Sequence, residues 1–95
     1  MPSPNAVEKA LESILEELAA IEHERWSTWQ AYLHSQGARQ PDGSLILPPE
    51  LVARWERQMQ TPYGSLTEAE KQSDRDQVRR YLPTIQSLIE LDPSR

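Results

Sequence analysis

Leu18-Ala-Ala-Ile-Glu-His-Glu-Arg-Trp-Ser-Thr-Trp29 is the stretch whose reading decides the fold. Side chains three and four apart share a helix face, so Ile14, Leu18 and Ile21 line up as one apolar stripe. Glu22, Trp26 and Trp29 fall along the neighbouring stripe, with His23 beside it, one turn below Trp26. A polar and aromatic cluster therefore borders the core. Two readings stay open. The tryptophans fill the core and His23 is hydrogen-bonded within it, or the aromatic face and the histidine form the wall of a site for a planar ligand.

The periodicity continues outward. Val7, Leu11, Ile14, Leu15, Leu18 and Ile21, then Trp29 and Leu33, recur at helical spacing, with Glu8, Glu12, Glu16 and Glu17 on the other side. Acidic residues near the start suit the helix dipole. Asn5 is a candidate cap and Gly37 a candidate C-terminal stop. Residues 1–5 read as frayed. A helix of about 30 residues would span roughly 45 Å. That is long beside the roughly 13 Å radius of gyration of a domain this size, so the helix is kinked, broken, or packed on a second copy.

Residues 37–48 read as one long loop, turned at Pro41-Asp-Gly43, with Ser44–Leu47 extended but too short for a sheet. Pro48-Pro-Glu50 opens a second helix bearing Leu51, Val52, Trp55 and Met59, and Thr61-Pro62 ends it. Thr67-Glu-Ala-Glu70 is a capping-box pattern, so a third helix starts at Glu68 and runs to Leu82, where Pro83 breaks or kinks it. Thr84–Leu91 gives a short helical turn, and Asp92-Pro93 closes the domain. The expectation is a single all-α domain over residues 1–95, with its core at about 6–91. It would be a small bundle of three main helices plus a short C-terminal one, with no substantial sheet.

Composition bounds the function. The 95 residues make one domain with a modest core. No apolar run approaches the ~20 residues of a membrane-spanning helix, and no signal-peptide pattern opens the chain. There is no cysteine, which excludes disulfides and fits a reducing cytoplasm. The net charge is −5, so binding to long nucleic acid is disfavoured. Lys71, Arg75, Arg79 and Arg80 are the one local concentration of positive charge.

Motifs for catalysis are lacking. His23 and His34 are the two histidines, with no HExxH motif, so no metal site is expected. Glu22, His23 and Glu24 point in three directions and cannot converge on one atom. The glycines, at 37, 43 and 64, form no phosphate loop. Along the third helix, Glu70, Lys71, Asp74, Arg75 and Arg79 interleave opposite charges. They form either a solvated face braced by weak ion pairs, or a cationic row facing His23 and Trp26. In the second case Asp74 or Glu70 would orient His23, and Lys71 or Arg75 would meet a ligand phosphate.

Leu18–Trp26 and Thr61–Arg75, taken together, resemble the RyR domain, the small helical repeat first seen in ryanodine receptors. Its pattern is an alanine-rich helix ending in His-Glu-x-Trp, then Pro-Tyr-x-x-Leu running into Glu-Lys-x-x-Asp-Arg. Here Pro62, Tyr63, Leu66, Glu70, Lys71, Asp74 and Arg75 fit in register. The likeness covers roughly residues 15–82. The Gly-Trp-x-Tyr-Gly segment usual after the first helix is missing. The resemblance implies a non-enzymatic helical module that needs no cofactor and binds a small nucleotide-derived ligand, such as a cyclic nucleotide or an ADP-ribose-type immune second messenger. A stand-alone phage-type copy would sequester that signal in the host cytoplasm and block anti-phage defence. His23, Trp26, Trp29, Tyr63, Lys71, Asp74, Arg75 and Arg79 are the expected ligand-binding residues, and a homo-oligomer is the expected state. The alternative is a non-catalytic interaction or structural module whose tryptophans are core or dimer interface.

Overall fold

A computed structural model describes residues 4–90. The fraying expected of the first residues, as far as residue 3, and the closing Asp92-Pro93 lie outside them. Among the described residues the order is α1 (Pro4–Glu12), α2 (Leu15–Ser35), β1 (Ala38–Arg39), β2 (Leu45–Ile46), α3 (Pro49–Gln60), a 3-10 turn (Tyr63–Ser65), α4 (Glu68–Arg79) and α5 (Leu82–Glu90). The expected bundle of three main helices and a short fourth, with no sheet, is therefore corrected. There are five helices and a small antiparallel hairpin among the described residues.

The extra helix comes from a break in the first one. The Ser13 hydroxyl donates to the Ala10 carbonyl at 2.5 Å, and the Ile14 amide reaches back only three residues, to Leu11, at 3.2 Å. A serine that bonds a nearby carbonyl competes with the helical ladder, and here the ladder tightens and restarts at Leu15. Asn5 lies inside α1 and is not its cap, since the helix begins at Pro4.

The hairpin stands where a loop was expected. Ala38 pairs with Ile46 and Arg39 with Leu45. The turn carries it. The Gly43 amide donates to the Gln40 carbonyl at 2.9 Å, and the Asp42 carboxylate accepts from the Ser44 amide at 2.9 Å and its hydroxyl at 2.7 Å. Those bonds hold the Asp42 carboxyl below its usual range. Gly43 has φ of +90°, with open space around it. Gly43→Ala should therefore cost about 1 kcal/mol through backbone strain alone, measured by chemical unfolding. Gly37 stands just past the end of α2 at Ser35, where a stop was expected, and it has a further task. A Cβ on Gly37 would meet the Leu45 Cβ at 3.1 Å, so its bareness lets the hairpin close on the helix end.

Prolines set the remaining boundaries. Pro62 pushes Thr61 out of the helical region, to φ −96° and ψ 124°, and α3 stops at Gln60. Pro83 cannot donate to the carbonyl four residues back, and its ring crowds that carbonyl. The residue four back is Arg79, where α4 ends, three residues short of the expected Leu82. The capping box is present. The Thr67 amide donates to the Glu70 carboxylate at 3.0 Å, and the Glu70 amide to the Thr67 hydroxyl at 3.2 Å.

The chain divides into two compact units, Met1–Arg25 with Asp74–Arg95, and Trp26–Ser73. The boundaries fall within α2 and within α4. Among the described residues Ile14, at 8% exposure, is the buried hydrophobic one.

Candidate functional site

The eight expected ligand-binding residues divide between the units. His23, Asp74, Arg75 and Arg79 belong to the first, and Trp26, Trp29, Tyr63 and Lys71 to the second.

In the second unit α2, the 3-10 turn, α3 and α4 supply the groups. Trp29 packs edge-on against Trp55 of α3, with centroids 5.6 Å apart and planes at 73°, and it lies 5.5 Å from Tyr32. This arrangement suits the ring quadrupoles. Trp55 was legible as part of an apolar helix face, but its pairing with Trp29 and the part played by Tyr32 were not. The Lys71 ammonium lies 5.9 Å from the centroid of Tyr63, at the outer limit of a cation–π contact, and 3.8 Å from Glu68. Trp26 is 52% exposed and Trp29 41%.

Glu70 locks α3 to α4. Its carboxylate accepts from the Arg57 guanidinium at 2.7 Å, the Gln58 amide at 2.5 Å and the Thr67 amide at 3.0 Å. These donors, Arg57 foremost, lower its pKa to about 2. Glu70 is thus committed to the packing of its own unit.

In the first unit, Glu22 is the hub. It receives a forked pair of bonds from Arg25 and a further bond from the Tyr81 hydroxyl, 59 residues along the chain. Arg25 and then Tyr81 hold the Glu22 carboxyl at about 2, and the carboxylate in turn raises the Tyr81 phenol. Arg80 reaches Glu24 at 3.1 Å, so two ties join α2 to the α4–α5 turn. Arg79 pairs with Asp76 at 3.1 Å and stays 58% exposed. His23 is exposed. No sequence signal pointed to Tyr81 or Arg80 as partners of α2, because neither lies near it in sequence.

The two lowered carboxyls give a pH dependence of definite sign. A carboxyl depressed on folding adds stability above its unfolded value, here 4.5, and loses it as the pH falls through its folded value. Acid unfolding should therefore steepen between pH 4.5 and about 2. Circular dichroism would read it, and Glu22→Gln with Glu70→Gln should flatten that slope. Salt screening limits its size more at Glu22, whose side chain is half exposed, than at Glu70, whose side chain is 13% exposed.

Among the described residues no helix is long and apolar enough to cross a membrane, and no group of three or more His, Asp or Glu side chains could hold a metal ion. Comparison with protein-family models, curated proteins and solved structures finds no match for the chain.

Proposed function

We propose that the chain is a non-catalytic helical interaction module that works with its apolar faces covered by protein. One observation carries this reading. Among the described residues Ile14 is the buried hydrophobic one, while the large apolar residues Val7, Leu11, Leu82, Ile85 and Ile89 stay 38–55% exposed. A folded domain survives on a surplus of only 5–15 kcal/mol, drawn chiefly from apolar burial. Helices left this open contribute little of it. Hydrogen exchange tests the reading. In dilute, isolated chain the amides of α1 and α5 should exchange at close to unfolded-chain rates. Strong protection of both helices in a dilute monomer contradicts it.

A second reading is binding of a nucleotide-derived ligand, with the phage-type sequestering role that the RyR resemblance implies. The observation favouring it is the half-exposed Tyr63 ring with the Lys71 ammonium 5.9 Å from its centroid, an aromatic ring paired with a cation. Such a pair stacks a base and neutralises phosphate. A thermal-shift screen of cyclic di- and trinucleotides, cyclic AMP, cyclic ADP-ribose and ADP-ribose tests it. A ligand at 100 times its Kd stabilises by about 2.7 kcal/mol, and Tyr63→Ala should abolish the shift. No shift from any of them contradicts this second reading.

A further inference from the structure

We propose that Asp42 is a modification site gated by the hairpin: it converts to isoaspartate when the turn between β1 and β2 opens, and is held back while the turn is closed. The reactants are neighbours in sequence, the Asp42 carboxyl and the Gly43 amide nitrogen. Gly43 has no Cβ, and nothing lies within 4 Å of where one would stand, so no side chain crowds the approach to its nitrogen.

The chemistry needs only water. In the open chain the Gly43 nitrogen bonds to the Asp42 Cγ. The protonated carboxyl gives up its hydroxyl and the nitrogen its proton, and the two leave together as water. A cyclic succinimide remains. Water then adds at the former backbone carbonyl of Asp42 and breaks its bond to nitrogen. That carbonyl becomes a free carboxylate, and the main chain now runs through Cγ. One water is lost and one regained, and nothing is oxidised or reduced.

The closed turn withholds each requirement. The Gly43 amide is engaged with the Gln40 carbonyl at 2.9 Å, so its proton is not free to leave. The Asp42 Oδ1 accepts from the Ser44 amide at 2.9 Å and the Ser44 hydroxyl at 2.7 Å. Both donors favour the ionised carboxylate, which has no hydroxyl to lose. The Gln40 amide donates to the Ser44 carbonyl at 2.8 Å, and the Arg39 guanidinium to the Gly43 carbonyl at 3.1 Å. These bonds fix the backbone on both sides of Asp42, which must turn to bring Cγ onto the nitrogen. Opening is local. β1 and β2 are two residues each, and so short a ladder parts at less cost than the whole fold. The product cannot close again. Its main chain is one carbon longer between Gln40 and Gly43, and the side chain that capped Ser44 has become backbone. Each conversion is therefore a permanent record of one opening.

The test incubates the full chain at neutral pH in heavy-oxygen water, then digests it with trypsin in ordinary water. The fragment 40–54 contains no other Asp and no Asn, so heavy oxygen gained there reports on Asp42. Uptake should be about tenfold or more slower in native buffer than in denaturing urea. Ser44→Ala, which removes one bond to the carboxylate, should speed the native reaction about fivefold and leave the rate in urea unchanged. In the purified isoaspartate form the Gln40 and Gly43 amides should lose their protection from hydrogen exchange. Equal rates in native buffer and urea overturn the gate, as does a native rate that Ser44→Ala leaves unchanged. No uptake in urea overturns the site, and amides still protected in the isoaspartate form overturn the permanent opening.

Discussion

Ile14→Ala should cost about 3 kcal/mol, the expected loss for an isoleucine cut to alanine where the surroundings cannot close the gap. Ile14 sits at the break between α1 and α2 and is the buried hydrophobic residue among those described. In a domain of this size the loss lowers Tm by roughly 15 °C. Met59→Ala is the matched control. At 81% exposure it should shift stability by less than about 0.5 kcal/mol. A loss under about 1 kcal/mol for Ile14→Ala, by urea unfolding, would mean that Ile14 does not anchor the α1–α2 corner.

Trp55→Ala should be the second large effect, about 3 kcal/mol, at the low end for a tryptophan because the ring is only part buried. The change removes the edge-on partner of Trp29 and the main ring that α3 presents to α2. Trp55→Phe keeps a ring there and should recover more than half of the loss. Near-ultraviolet circular dichroism gives an independent readout, since the coupled signal of Trp29 and Trp55 should vanish in Trp55→Ala. A persisting signal would place the coupling elsewhere.

What the sequence disclosed follows the range of the interactions. Pro62 acts on its immediate neighbour, and Thr67 and Glu70 cap across one turn, so both boundaries could be read directly. The break at Ser13 depends on a hydroxyl choosing a carbonyl three residues back over solvent, which residue type alone does not decide. β1 and β2 are two residues each, shorter than any alternation that can be recognised. Gly37 was legible as the residue just past the helix end, but the close approach of Leu45 that also requires a bare residue there was not. The candidate site divides in the same way. Lys71 lies eight positions after Tyr63, and the structure brings them together. The bond from Tyr81 to Glu22 joins residues 59 apart, and only the fold shows it. The apolar residues of α5 were visible as a pattern. That they remain uncovered was not, because exposure belongs to packing rather than to spacing.

The central claim is that these helices are stable only when covered by protein. Thermal unfolding across a hundredfold range of chain concentration tests it most directly. Association stabilises the folded state by mass action, so Tm should rise steadily with concentration. The same Tm at every concentration, with full helical content in the most dilute sample, would contradict it.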